Sequence, residues 1–185
     1  MSPTVRPAAP ADMGAVARLY GREVAGGTAS FELEPPTPAE MTARFLAVRD
    51  KDLPWLVAEI DGAFAGYAYL SPFRPRAAYR YGVEVSVYVE EAARGRGVAR
   101  ALMTALIDAA RDRGLRHVIA AISQSATSDA SIALHRSLGF DTAGVYRQVG
   151  WKHDRWLDVT LMQLDLSPDG APPTAEGLRL GGGLA

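Results

Sequence analysis

Apolar positions recur along this chain with two different periods, and they divide it into alternating elements. Met13, Val16, Ala17, Leu19 and Tyr20 fall on one stripe of a helix over Ala11–Val24, with Asp12 as its expected cap. Gly26-Gly27-Thr28-Ala29-Ser30 breaks that helix, and the proline-rich stretch from Phe31 to Pro38 is irregular. Thr37, Pro38 and Glu40 then open a second helix, Pro38–Arg49, in the manner of a capping box. Trp55–Ile60 and Ala63–Leu70 read as two strands joined by Asp61-Gly62, a hairpin turn. A loop carrying Arg74, Arg76, Tyr79 and Arg80 leads to a central strand, Tyr81–Val89. A long amphipathic helix over Val98–Arg113 stops at Gly114. His117–Ile122 is apolar enough for a strand covered on both faces. The polar loop Ser123–Asp129 precedes a short helix, Ala130–Leu138, ended by Gly139, and Val145–Val149 and Trp156–Asp165 read as closing strands. A mixed α/β fold follows, with helices on both faces of the sheet.

Length and composition narrow the class. The 185 residues suit one domain, and hydrophobic residues at 48% with charged residues at 22% match an ordinary globular chain. A net charge of −1 argues against a nucleic-acid partner. No apolar run is long enough for a membrane helix, and the start, Met1-Ser2-Pro3-Thr4, lacks signal-peptide character, so a cytoplasmic location is expected. The chain has no cysteine, which excludes disulfides, thiolate zinc sites and a cysteine acyl-enzyme. His117, His135 and His153 are too far apart in sequence to suggest a metal site, and none is expected.

The stretch Arg94-Gly95-Arg96-Gly97-Val98-Ala99 joins the central strand to the long helix. Two glycines there free the backbone, and the first amides of the helix have no internal partner. With the helix dipole they form a site for a phosphate or diphosphate, and Arg94, Arg96 and Arg100 add positive charge. The dinucleotide fingerprint is incomplete, because Val98-Ala99-Arg100 follows the second glycine, and no Gly-Lys-Ser/Thr of a triphosphate loop is present. Glu84 stands out among Val83, Val85 and Val87; a carboxylate in such a strand is costly without a partner or a purpose. Its bland alternative is an ion pair with Arg80. His135 sits on the short helix with Ser131 one turn before it, within reach of a hydrogen bond.

The segment Arg94–Ala99 resembles the acetyl-CoA-binding loop of the GNAT N-acetyltransferases, and Leu134–Phe140 is similar to the later Leu-Gly-Phe segment of that superfamily. Phe31–Pro35, Pro54–Glu59, Ala77–Val89 and Trp151–Val159 narrow the resemblance to the phosphinothricin N-acetyltransferase group, over about residues 3–166; residues 167–185 form a Pro/Gly-rich tail expected to be loose or to lie over a neighbour. Nearby members are similar to acetylases of methionine sulfoxide and sulfone.

The resemblance implies a GNAT fold: a mixed, mostly antiparallel sheet of about seven strands flanked by helices. It implies acetyl-CoA as co-substrate and direct attack by the amine of a small amino-acid analogue. It implies Glu84 as base and His135 as acid or shared base. It places the coenzyme along Val87, Tyr88, Val89, the run Arg94–Arg100 and Ser128. It places the acceptor near Phe31, Arg74, Pro75, Arg76, Tyr79, Glu84, Val85 and Ser86, with Lys152, His153 and Trp156 bracing the site. Members are commonly homodimers. One departure is Ser128, where the family has Asn; a hydroxyl replaces an amide that both donates and accepts. That change supports the rival reading of an inactive coenzyme-binding relative acting as a sensor. A nucleic-acid binder built on Arg94, Arg96 and Arg100 is the third.

Overall fold

A computed structural model describes residues 2–167, 169–173 and 175–180. It contains a seven-stranded sheet in the order β1-β2-β3-β4-β5-β7-β6. The strands are β1 (Thr4–Pro7), β2 (Trp55–Ile60), β3 (Ala63–Pro72), β4 (Gly82–Val89), β5 (His117–Ser123), β6 (Asp141–Lys152) and β7 (Arg155–Asp165). The helices are α1 (Met13–Gly26), α2 (Pro38–Arg49), α3 (Val98–Asp112) and α4 (Ser128–Ser137). Among the described residues β4–β5 is the parallel pair, and the other neighbours run antiparallel.

Local chemistry sets the ends of several elements. Asp61 (φ 55°) and Gly62 (φ 77°) both adopt the left-handed conformation that a tight hairpin between β2 and β3 needs. At α2 the Thr37 hydroxyl accepts from the Glu40 amide at 3.2 Å, and the Glu40 carboxylate accepts from the Thr37 amide at 2.7 Å. Asp12 does not cap α1. A 3-10 turn over Pro10–Asp12 precedes that helix, and the Asp12 carboxylate takes the Ala9 amide (2.7 Å) and a forked contact from Arg6 (both 2.8 Å). Arg6 also holds Glu59, so the charge is spent on joining β1 to β2. Two elements begin earlier than the sequence suggests: α4 at Ser128 and β6 at Asp141. The strand β6 is twelve residues long, and its register with β7 slips twice, between Thr142 and Gly144 and between Tyr146 and Gly150. The slips break the alternation that marks a strand in sequence.

The core lies on both faces of the sheet. Tyr20 of α1 meets Tyr88 of β4 edge to face, with ring centres 5.2 Å apart, and Phe45 of α2 does the same to Trp55 of β2 at 5.8 Å. Those contacts place α1 and α2 over the face of β4 that carries Glu84, Ser86 and Tyr88. The other face carries Val83 and Val85, and α3 contributes Val98, Leu102, Met103 and Leu106, all nearly or fully buried. Residues beyond β7 pack on the chain itself. The Leu178 amide bonds to the Arg80 carbonyl (2.8 Å), the Tyr81 hydroxyl to the Ala175 carbonyl (3.0 Å), and Arg80 Nε to the Glu176 carbonyl (3.1 Å). The described tail residues 175–178 therefore strap the start of β4.

Candidate active site

The parallel pairing of β4 with β5 is short. It joins Gly82–Glu84 to His117–Ile119 and then stops. Beyond it β4 stays on β3 through Val89, while β5 stays on β7 through Ser123. The two strands splay, and each turns an unpaired edge of backbone N–H and C=O groups to the gap. A cavity of about 740 Å³ occupies this region. Val85, Ser86, Val87, Tyr88 and Val89 line one wall, and Ala120, Ala121, Ile122 and Ser123 another.

The glycine loop closes one end of the cavity, where Arg94, Gly95, Gly97, Val98, Ala99 and Arg100 line it. Gly95 (φ 74°) and Gly97 (φ 81°) are both left-handed, and a Cβ built on either would have nothing within 4 Å, so the turn leaves open space beside its backbone. Gly97 caps α3 without a side-chain hydrogen bond, and the first intrahelical bond runs from the Ala101 amide to the Gly97 carbonyl. The amides of Val98, Ala99 and Arg100 thus point out of the helix with the positive end of its dipole. Arg94 pairs with Glu23 at 2.9 Å and Arg100 reaches the Ser137 hydroxyl at 2.7 Å, which anchors both side chains beside the turn. This end fits a diphosphate. The free strand edges fit an amide-bearing arm running between them, as an added strand would.

Glu84 sits at the point of divergence, opposite Ser71 on β3 and Ile119 on β5, and it lines the cavity. Burial raises its pKa, and the charge of Arg74 offsets part of the rise. It has no ion-pair partner among the described residues. Arg80 lies over the Tyr81 ring and bonds to the Glu176 and Ala77 carbonyls instead, so the structural alternative for Glu84 fails. A half-buried carboxylate with a raised pKa can take a proton from an ammonium.

His135 is 2% exposed, packs edge to face on Phe140, and faces the cavity. Its partner at Ser131 is the carbonyl rather than the hydroxyl: Nδ1 lies 2.8 Å from that oxygen. A carbonyl only accepts, so Nδ1 carries the proton and Nε2 keeps a lone pair. Burial lowers the His135 pKa, and the Ser131 carbonyl opposes this only in part, so the neutral ring is favoured. A proton-accepting role follows more directly than an acid one.

The remaining expected residues divide. Phe31 lines the cavity. Arg74, Pro75, Arg76 and Tyr79 lie outside its lining, on the loop before β4; Arg74 covers the Phe73 ring, and Tyr79 lines a second cavity of about 480 Å³ with Phe73, His117 and Gln163. Arg96 also lies outside it, and so does Ser128, whose hydroxyl donates to the Ser125 carbonyl at 3.0 Å. Lys152 and His153 brace a neighbouring segment: Lys152 Nζ donates to the Ser30 carbonyl at 2.8 Å, and His153 Nε2 lies 3.2 Å from the Gly27 carbonyl.

Several lining residues escape a sequence reading. Tyr20, Tyr69, Ser123, Ser125 and Thr127 reach the cavity from four separate elements. Burial drives the Tyr20 phenol up to about 12, helped by Glu32, while the Ser30 hydroxyl bonded to it (2.7 Å) acts the other way. Its position within the apolar stripe of α1 disguises it as core. Among the described residues no group of three His, Asp or Glu is arranged to hold a metal, and no helix is long and apolar enough to cross a membrane.

A sheet that opens beside a glycine-capped helix, with a desolvated carboxylate at the fork, makes a cleft for a phosphorylated, amide-bearing ligand. Residues 21–140 match the acetyltransferase (GNAT) family, and the chain belongs to it. It is 45% identical over 164 residues to a phosphinothricin N-acetyltransferase of Alcaligenes faecalis, spanning 89% of this chain and 83% of the relative. It is 41% identical over 174 residues to an L-methionine sulfoximine/L-methionine sulfone acetyltransferase of Pseudomonas paraeruginosa, spanning 94% of this chain and all of the relative. A phosphinothricin acetyltransferase from Sinorhizobium meliloti, solved in complex with acetyl-CoA, superimposes with a TM-score of 0.89 at 41% identity over 94% of each chain.

Proposed function

We propose that this enzyme acetylates the α-amino group of a small amino-acid analogue of the phosphinothricin, methionine sulfoximine or methionine sulfone type. Acetyl-CoA, held in the splayed cleft, supplies an activated thioester. The observation that carries the reading is Glu84: a half-buried carboxylate with a raised pKa, free of any ion pair among the described residues, at the fork where the cleft begins. The relatives' names support the acceptor class.

In this reading the N-terminal amides of α3 and the Gly95–Gly97 turn hold the diphosphate. The free edge of Val87–Val89 aligns the pantetheine arm, and a β4 amide polarises the thioester carbonyl. Glu84 removes the ammonium proton, directly or through one water, and neutral His135 assists through Nε2. Phe31 walls the acceptor, and Arg74, whose charge reaches Glu84 from the loop before β4, meets its anionic oxygens; Arg76 and Tyr79, outside the cavity lining, take no part in this pose. The turned-in hydroxyl of Ser128 leaves the coenzyme to the other contacts. The named activities of the relatives favour a working enzyme over a sensor.

Thiol release from acetyl-CoA, measured against phosphinothricin, methionine sulfoximine, methionine sulfone and polyamines, tests the proposal. The first three should support turnover with intersecting double-reciprocal lines. Parallel lines would indicate a covalent acetyl-enzyme and overturn direct attack; silence with every amine would overturn the enzyme reading.

The working unit in this proposal is a homodimer in the cytoplasm, where acetyl-CoA is available. β6 is a sheet edge, and Val145, Tyr146, Val149, Trp151 and Trp156 of the β6–β7 hairpin are all exposed. A second copy covers such an apolar edge more fittingly than water does. Trp151→Asp should halve the mass seen by light scattering; an unchanged mass would reject this interface.

A further inference from the structure

The hairpin that closes the fold also touches the cavity wall, at one ring. Phe31 is 40% exposed and lines the cavity, so its own burial does not fix it. Its ring lies directly on Gly150 of β6. A Cβ at Gly150 would crowd three ring carbons, Cε2, Cζ and Cδ2, the last at 2.7 Å. Ordinary carbon contacts lie at about 3.5–4.0 Å, so any side chain at Gly150 evicts the ring. Gly150 carries no left-handed φ, and backbone conformation therefore does not require glycine there.

The backbone beside Phe31 is held as tightly. Lys152, two residues after Gly150, is 4% exposed, and its ammonium donates to the Ser30 carbonyl at 2.8 Å. On the other flank Glu32 accepts from Arg44 (2.7 Å) and Tyr20 (2.8 Å). Upstream, the Thr28 hydroxyl donates to the Gln124 carbonyl at 2.6 Å, and the Ser123 hydroxyl donates to the Thr28 carbonyl. The segment around residue 31 is thus held from four elements, α1, α2, β5 and β6, and the ring itself is seated only where Gly150 leaves room.

We propose that Gly150 is a specificity-determining position: lacking a side chain, it seats the Phe31 ring, with Lys152 as its positioning partner, and so sets the room available to the acceptor. The kinetic part rests on the acetyltransferase reading above; the seating of the ring does not. Gly150→Ala leaves the fold intact and turns the ring into the cleft. Acceptor KM then changes by about tenfold, the scale of one displaced apolar contact, while KM for acetyl-CoA stays within about twofold because the diphosphate end is remote.

The test is a cycle of Gly150→Ala, Phe31→Ala and the double variant. If Gly150 acts through the ring, adding Gly150→Ala to Phe31→Ala changes acceptor KM no further. Additive effects, or equal changes in both KM values, would overturn the proposal. A second readout does not need turnover. With 4-fluorophenylalanine in all five phenylalanine positions, the Phe31 fluorine line is assigned by its loss in Phe31→Leu. That line should shift in Gly150→Ala and broaden in Lys152→Met, with the narrow line kept in Lys152→Arg. A line unmoved in Gly150→Ala rejects the seat even for a protein inactive on every amine tried, whereas an inactive wild type with a shifted line rejects the acceptor assignment alone.

Discussion

At the scale of single residues, burial decides the chemistry. Glu84 holds its proton more tightly in the fold than in the unfolded chain, so folding is opposed as pH rises through its titration range. Glu84→Gln should therefore leave the melting temperature at neutral pH equal or higher, while kcat falls by about 10²–10⁴. The acid limb of the kcat profile, set above the ordinary carboxylate value of 4.5, should vanish with it. A variant that lost stability and activity together would assign Glu84 a structural role. His135 has the opposite sense: its depressed pKa means that the unfolded chain takes up the proton first. Stability should fall as pH drops below about 6.5, the ordinary imidazole value, and His135→Phe should flatten that slope in melts between pH 5 and 7. The isolated carboxylate among valines could be picked out in sequence because its neighbours are uniformly apolar. The resemblance marks Lys152 as a brace, but what it braces is not legible from its neighbours, because its partner is a backbone carbonyl 122 positions away.

Elements were legible where a local rule fixes them. The Asp61-Gly62 turn, the Thr37–Glu40 cap and the stop at Gly114 (φ 65°) each depend on a few adjacent residues. The length of β6 depends on two register slips against β7, and those answer to packing across the sheet. The α3 N-terminus is where element geometry most directly becomes affinity. Gly97→Val forces a β-branched residue into a φ of 81°, at a cost of roughly 1–3 kcal/mol, and disturbs the outward amides. Its measured consequence should be a weaker Kd for coenzyme A by calorimetry, with acceptor KM nearly unchanged. Deeper in the same helix Leu106 is fully buried, and Leu106→Ala should cost about 2–5 kcal/mol in denaturant melts with no selective effect on either substrate.

For the whole molecule, topology explains both what the chain announced and what it concealed. The alternation of helices and strands indicated a mixed sheet, and the glycine loop pointed to one end of the cleft. The splay itself has no sequence signature, since the residues that pair, Gly82–Glu84, and those that do not, Val85–Val89, are equally suited to a strand. Nor could Tyr20, Tyr69 and Ser123 be grouped before the chain was folded. The gap between β4 and β5 leaves the seven-stranded layer open along a line through its middle, so a coenzyme bound there, as proposed, completes a structural course of the molecule as well as taking part in chemistry. Saturation at 100 times its Kd should add about 2.7 kcal/mol to global stability, and the gain should be largest at Val85–Val89 and Ala120–Ser123. Hydrogen exchange would show those amides slowing most, joining two half-sheets that open more easily while they stand apart.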